Sequence, residues 1–156
     1  MIENTNLRAQ LSEIMPTMLQ HEGVWEGLYT HLNTEAQIID QHRTRVECIF
    51  PDEGEYAYIQ KNHFIWTDGK EYKVELLGTL KGNKLWWDND SFSGCSWESE
   101  YGQILLNLDR KDEPGSRFYE MISLGDSSEY RGRVWQWFNA EGKLYKRTLC
   151  DEKRVQ

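Results

Sequence analysis

The pattern of hydrophobic and polar positions changes near residue 21. Before that point, apolar side chains recur at helical spacing, at Leu7, Leu11, Ile14, Met15 and Met18. This periodicity predicts one helix from Asn4 to Gln20, broken or kinked at Pro16. No helical period follows it, so the rest of the chain should be organised differently.

Beyond Trp25 the chain is divided by short groups of turn-forming residues. They stand at Asn33–Glu35, Pro51–Gly54, Asp68–Gly69, Gly82–Asn83, Tyr101–Gly102, Asp112–Gly115, Gly125–Ser128 and Glu141–Gly142. Gly, Asn, Asp and Pro each supply a backbone that suits a turn. These eight turns delimit nine strand candidates, and short strands at such spacing indicate an antiparallel barrel or sandwich. A barrel is favoured because it leaves no exposed sheet edge.

The chain length predicts a single domain, and the turn series predicts that this domain is all-β with a short leading helix. A sequence of 156 residues is large enough to bury its own core, and it contains no linker or internal repeat. We expect one domain over residues 1–156, with the helix in residues 1–20 and the barrel in residues 23–152.

Alternation along the strand candidates assigns each of them two faces. One face of the first strand carries Gly23, Trp25, Gly27, Tyr29 and His31. One face of the ninth strand carries Tyr145, Arg147 and Leu149. The seventh strand opposes Phe118 and Glu120 to Arg117, Tyr119 and Met121. Several candidate inner faces mix aromatic rings with polar groups, which is typical of a ligand cavity rather than of a dry core of Val, Ile and Leu.

Composition and charge narrow the classes of function. Aromatic residues make up 13% of the chain, including seven Trp and eight Tyr, which favours an interior lined by rings with a polar edge. The net charge of −8 argues against a nucleic-acid-binding surface. Neither a signal peptide nor an apolar run of membrane-spanning length is recognisable. The widely spaced cysteines Cys48, Cys95 and Cys150 are expected to be reduced thiols in a cytoplasmic protein.

The first strand and the basic residues near the C-terminus resemble a known superfamily. Gly23-Val24-Trp25 opens the strand, and Arg147 lies in the last run. This layout resembles the calycins, the small up-and-down β-barrels that include lipocalins, fatty-acid-binding proteins and nitrobindin-like proteins. The resemblance implies that Trp25 plugs one barrel end, that Arg147 packs across it with Arg154 as a second candidate, and that the leading helix caps a barrel mouth.

A barrel of this kind predicts a small apolar or amphipathic ligand. The residues that we expect to surround it lie on candidate inner faces. They are the rings of Tyr29, Tyr58, Trp87, Tyr119 and Trp135, with polar anchors from His31, His42, Asn62 and Arg133. One register slip would reverse a whole strand, so these assignments depend on the strands being regular.

No motif in the chain indicates a metal or a cofactor. The four histidines form no metal-binding pattern, and no cysteine pair has zinc spacing. Nitrobindin-like haem binding implies a histidine near the C-terminus, but none follows His63. The glycines form no phosphate-binding or dinucleotide motif, and the serines lack a nucleophile elbow. We therefore expect neither a metal nor a cofactor.

Three functions stay open at this point. The first is the binding of a small molecule. The second is a cofactor-free cyclase, isomerase or lyase, with His42, Tyr58 or Glu120 as acid or base. Phycobiliprotein lyases of the calycin type have a Gly-x-Trp strand followed by a Thr-x-His-like element, which Gly23-Val24-Trp25 and Thr30-His31 match loosely. The third is an interaction domain with a filled core, and the sequence also leaves a homodimer open.

Overall fold

The computed structural model describes residues 6–156 as a closed antiparallel barrel preceded by one short helix. Helix α1 spans Leu7–Ile14, and a 3-10 turn follows at Met18–His21. The strands are β1 Gly23–Leu32, β2 Ile38–Ile49, β3 Tyr58–Ile65, β4 Glu71–Lys81, β5 Lys84–Asp88, β6 Phe92–Glu98, β7 Ile104–Arg110, β8 Arg117–Leu124, β9 Tyr130–Phe138 and β10 Leu144–Arg154. Each strand pairs with its neighbours in sequence, and β1 pairs with β10 to close the barrel. The predicted fold class is confirmed.

The leading helix ends before the proline that was predicted to interrupt it. The Asn6 side chain caps α1 by accepting a hydrogen bond of 2.9 Å from the Ala9 backbone N–H. After Pro16 the chain continues as the 3-10 turn, whose first N–H groups are met by Glu98 on β6: Oε1 accepts from Thr17 at 2.8 Å and from Met18 at 3.2 Å. Asn4, the predicted start, lies outside the described residues.

All eight predicted turns fall between strands, but the barrel has one more strand than predicted. The missed turn lies between β5 and β6, at residues 89–91. There the Asn89 side-chain oxygen accepts from the backbone N–H groups of Ser91 and Phe92, at 2.9 and 3.0 Å. An asparagine bonded to its own following backbone is a turn signal in its own right, and no glycine or proline accompanies it.

The seam between β1 and β10 requires a glycine. Gly27 faces Glu152 across the seam, and a Cβ atom built on it would lie 2.2 Å from the carbonyl oxygen of Asp151. Any side chain would therefore push the two strands apart.

The helix covers the barrel end at which β1 begins, called here the capped end. The Leu7 N–H donates to the Asp52 carbonyl at 2.7 Å, and the Arg8 guanidinium donates to the Phe50 carbonyl at 3.0 Å. Leu11 on the helix and Met15 at its C-terminal end are fully buried. The opposite end, where β1 ends and β2 begins, is called here the open end. The helices in residues 6–156 are all shorter and more polar than a membrane crossing requires.

Strand β10 presents a different face to the interior than predicted. On β10 the buried side chains are Thr148, Cys150 and Glu152, whereas Arg147 is exposed on the outside. A β-bulge lies at the start of this strand, between Leu144 and Lys146. Sequence patterns did not reveal which face of β10 points inward, because that face carries polar residues, which such patterns assign to solvent.

Candidate functional site

The capped end is closed by Trp25, but its basic partners differ from the predicted one. Trp25 is fully buried, and its indole N–H donates to the His21 carbonyl at 2.9 Å. The guanidinium carbons of Arg154 and Arg131 lie 4.3 and 4.7 Å from its ring centre. Arg154, the second candidate, takes the position expected for Arg147, because Arg147 lies on the outward phase of β10. Two cations in contact with one indole stabilise the closure of this end.

The barrel interior holds a cavity of about 140 Å³. Its apolar wall comes from β4 to β8, through Leu76, Trp87, Phe92, Ile104, Leu106, Leu108, Phe118 and Ile122. Its polar wall comes from β3, β8 and β9 and from the 3-10 turn. A core filled by side chains, as in the interaction-domain hypothesis, would leave no such space.

Most of the predicted site residues surround this cavity. Those that line it are Tyr29, Tyr58, Asn62, Trp87, Arg133 and Trp135, together with the candidate acid Glu120. His31 and His42 do not line it; they lie nearer the open end and contact the cavity-lining ring of Tyr29. Tyr119 points away from the interior, with 43% of its surface exposed, because β8 turns Phe118 and Glu120 inward. The prediction for Tyr119 is corrected accordingly.

A buried network of charged residues contributes Glu120, Arg131 and Arg133 to the cavity's polar wall and also includes Glu152, which does not line the cavity. Glu152, fully buried, accepts from Nε of Arg131 at 2.6 Å and from Nη1 of Arg133 at 3.4 Å. Arg133 also donates through Nε to Glu120 at 2.9 Å. Its guanidinium carbon stands 4.5 Å from the ring centre of Trp135. Sequence reasoning missed Glu152 and Arg131 as site residues.

The two glutamates of this network ionise differently. Burial opposes the ionisation of Glu152, but Arg133 and Arg131 together outweigh burial and lower its pKa. Burial raises the pKa of Glu120, and its contact with Arg133 offsets this only in part. Glu120 is therefore the member of the network that takes up a proton more readily.

His21 adds a donor that sequence reasoning also missed. Its ring lines the cavity and is 1% exposed. Burial, followed by the charges of Arg131 and Arg133, lowers its pKa to about 3. Nη1 of Arg131 lies 3.3 Å from Nδ1 of His21, which must accept, so the proton of the neutral ring is assigned to Nε2. Nε2 has no hydrogen-bond partner within residues 6–156.

Side chains on β3 form a hydrogen-bonded row along the cavity. The Tyr58 hydroxyl donates to Oε1 of Gln60 at 2.8 Å, and Nε2 of Gln60 donates to Oδ1 of Asn62 at 2.8 Å. Burial raises the pKa of Tyr58 well above its usual range, so its hydroxyl keeps its proton. The row fixes the orientation of the Asn62 amide beside the cavity.

At the open end, two histidines and an aspartate lie close together. One ligand atom from each of His31, Asp40 and His42 lies within 4.8 Å of the others. Burial, followed by the charge of Lys146, lowers the pKa of His31 to about 4. Burial also lowers the pKa of His42, although Asp40 acts in the opposite direction. Both imidazoles are therefore neutral near pH 7.

Comparison with known proteins identifies the fold. No protein-family model matches the chain, and no curated protein matches its sequence. The structure is similar to the S-type phycobiliprotein lyase CPES from Guillardia theta, with a TM-score of 0.71 and 15% identity over 90% of this chain and 92% of that one. It is also similar to Rv2717c from M. tuberculosis, with a TM-score of 0.62 and 10% identity over 92% and 98% of the two chains.

A longer protein contains a similar barrel. A protein of unknown function from the DUF3598 family of Nostoc punctiforme matches with a TM-score of 0.65 and 19% identity, over 88% of this chain and 49% of that one. This chain thus spans about half the length of the Nostoc protein. Together with the closed ten-strand topology, these likenesses establish a calycin-like barrel.

Proposed function

We propose that this barrel binds a small apolar or amphipathic molecule in its interior cavity. The observation that carries the proposal is the cavity itself, with rings and aliphatic side chains on one wall and a buried polar network on the other. Ligand pockets are mostly apolar with a few well-placed polar groups, which is the arrangement found here.

The volume of the cavity limits what fits. An engineered apolar cavity of about 150 Å³ binds benzene, so a cavity of about 140 Å³ accommodates one six-membered ring or a group of similar size. A larger ligand would insert one such group and leave the remainder elsewhere.

The polar wall suits a ligand with one hydrogen-bonding group. Nε2–H of His21 is a buried donor without a partner in the described chain, and buried donors are normally satisfied. A hydroxyl or carbonyl oxygen beside it would accept this hydrogen bond. Asn62 and Glu120 also line the cavity and offer further polar contacts.

We also propose that the protein is cytoplasmic and that its partner is a small molecule rather than a nucleic acid. The net charge of −8 supports a small molecule rather than a nucleic acid as partner. Three free cysteines support a cytoplasmic location.

Binding of single-ring probes tests the proposal. Phenol and toluene should bind saturably, with one site by calorimetry and a change in fluorescence from the cavity residues Trp87 and Trp135. Leu106→Phe adds volume to the cavity wall and should weaken both probes at least about tenfold, whereas Leu28→Phe, at a position 44% exposed, should bind like the wild type. Absence of saturable binding in a folded wild-type protein would reject the proposal.

An enzyme acting in the same cavity is the second candidate. One observation favours it: Glu120 is a cavity-lining carboxyl whose pKa is raised by burial, as general acids require. The overall likeness to a phycobiliprotein lyase supports a lyase among such enzymes. Chromatography with mass spectrometry of the small molecule that co-purifies from the native host would decide: an enzyme converts it with time into a product of different retention time or mass, and Glu120→Gln stops that conversion without releasing the molecule.

A further inference from the structure

We propose that the open end of the barrel holds one divalent transition-metal ion of the Zn²⁺ class, with His31, Asp40 and His42 as its protein ligands. Two imidazoles and one carboxylate are a donor set that zinc and its neighbours in the first transition row accept. A set of three leaves a position open for water or for a ligand atom, as in catalytic rather than structural sites.

The strands bring the three ligands together through register. His31 stands directly across from Asp40 in the pairing of β1 with β2. His42 lies two residues beyond Asp40 on the same strand, so the two share a face. The rings of His31 and His42 have their centres 5.4 Å apart. All three lie on paired strands, next to a β-bulge that follows His31, so the arrangement does not depend on a loop.

The spacing requires only a small adjustment. Tetrahedral ligands about 2.1 Å from zinc stand about 3.4 Å apart, and Nδ1 of His42 already lies 3.4 Å from Oδ2 of Asp40. The three ligand atoms all lie within 4.8 Å of one another, so small side-chain rotations would bring them to that spacing, and the Asp40 side chain is 43% exposed.

His42 supplies an independent sign of a missing partner. The residue is 8% exposed, and its buried Nδ1 makes no hydrogen bond of good geometry in the described chain, although it lies 3.4 Å from the Asp40 carboxylate, which interacts with it. A buried ring nitrogen without a partner is rare in a native structure. A metal ion between this atom and Asp40 would satisfy it.

The other two ligands are already oriented by partners of their own. Nδ1 of His31 lies 2.7 Å from the Thr148 hydroxyl, which also accepts from the Trp137 indole at 2.9 Å. The Asp40 carboxylate accepts from the Trp66 indole at 3.1 Å. Such outer partners are what hold metal ligands in place. If Nδ1 of His31 donates to Thr148, Nε2 carries the free lone pair.

The local charges are compatible with a dication. The Asp40 carboxylate supplies one negative charge, and Lys146, whose charge acts on His31, opposes the ion. None of the three proposed ligands lines the interior cavity, so the metal site and the small-molecule site can be tested separately.

Metal titration of the purified, chelator-treated protein tests the proposal. Calorimetry with Zn²⁺ alone should show one equivalent bound, and Asp40→Asn, His31→Ala and His42→Ala should each weaken binding by more than 100-fold. Thr148→Val removes an outer partner and should weaken it about 10–100-fold. His63→Ala is the matched control, since His63 pairs with Glu71 on the barrel surface, and it should bind like the wild type.

Cobalt gives a readout of position. Bound Co²⁺ should quench Trp66, whose ring centre lies 4.4 Å from that of His42, and Trp66→Phe should remove most of the quenching while keeping the stoichiometry. Asp40→Asn changes a partly exposed side chain and should fold normally by circular dichroism. The proposal would be overturned if the wild type bound no zinc, or if Asp40→Asn bound zinc as tightly as the wild type. It would also be overturned if His63→Ala lost as much zinc affinity as the ligand variants. Failure of the phenol and toluene titrations would leave these results unaffected.

Discussion

The guanidinium carbon of Arg154 lies 4.3 Å from the centre of the Trp25 ring, and the two residues are direct partners across the β1–β10 seam. Arg154 also donates to the backbone carbonyls of Gln20, at 2.6 Å, and of Glu22. One side chain thereby joins the barrel seam, the plug and the segment after the helix. Its removal should loosen all three at once.

Trp25→Ala should lower the free energy of unfolding by about 3–5 kcal/mol. The indole is fully buried, and truncating a buried Trp removes its burial energy and leaves a cavity. Urea unfolding followed by circular dichroism measures the loss. Trp86→Ala, at a position 41% exposed, is the control and should cost much less. A loss below about 1 kcal/mol for Trp25→Ala would show that it does not plug the barrel.

Arg154→Ala should destabilise the protein by about 2 kcal/mol or more. The change removes a cation–π contact and charge-assisted hydrogen bonds. Arg147→Ala should cost less than about 0.5 kcal/mol because Arg147 is exposed on the outside of β10. The same urea titration measures both variants, and equal losses would contradict the assignment of Arg154.

Glu152→Gln should cost about 3–5 kcal/mol. Glu152 is the shared anionic partner of Arg131 and Arg133, and breaking a buried ion pair leaves an uncompensated charge. Glu26→Gln breaks the exposed pair with Arg45 and should cost less than about 1 kcal/mol. Thermal and urea unfolding measure the difference; similar losses for the two variants would show that the network adds nothing.

The protein should become less stable as the pH falls, because His21 takes up a proton more readily in the unfolded chain. The folded-state pKa is about 3 and the unfolded value is about 6.5, so the unfolded chain binds more protons between these values. The contribution is complete above about pH 6.5 and is lost as the pH falls toward 3. Between pH 7 and pH 5 this single group should remove about 2 kcal/mol.

The His21→Gln variant isolates this effect, since an amide accepts from Arg131 but does not titrate. Its unfolding free energy should change less than that of the wild type over the same pH range. Parallel pH profiles for the two proteins would exclude His21 as the titrating group.

The three thiols should react at different rates with a disulfide reagent. Cys95 is partly exposed, whereas Cys48 and Cys150 are each 2% exposed. Burial raises the pKa of Cys150 to about 12, and the thiolate is the reactive form. One thiol should therefore react quickly in the folded protein, and three should react after unfolding without reductant. Detection of a single thiol in the unfolded chain would indicate a disulfide.

Sequence reasoning located the turns better than the faces of the strands. Turn residues such as Asp68-Gly69 act locally, so their chemistry is visible in a single sequence. The inward phase of β10 depends on Glu152, whose burial makes sense only once Arg131 and Arg133 are placed opposite it. Hydrophobic patterning assigns a glutamate to solvent, and only the tertiary ion pair reverses this.

The residues of the candidate site likewise fall into those that the sequence predicts and those that it does not. Rings such as Tyr58 and Trp135 were found because aromatic residues on an alternating inner face predict a lined interior. His21 was missed because it precedes the first strand and enters the barrel from the 3-10 turn. The grouping of His31 with Asp40 arises from strand register, which a sequence without a metal-ligand motif does not reveal.

The buried arginines and glutamates give the barrel interior a balance of opposite charges, two of each sign. A neutral guest leaves that balance intact, whereas an acidic guest adds an unmatched negative charge where charge is costly. Burial raises the pKa of Glu120. Glu120 would therefore restore neutrality by taking up a proton when an acidic ligand pairs with Arg133. If the cavity binds an acid, that ligand should enter together with a proton, and its affinity should therefore rise as the pH falls.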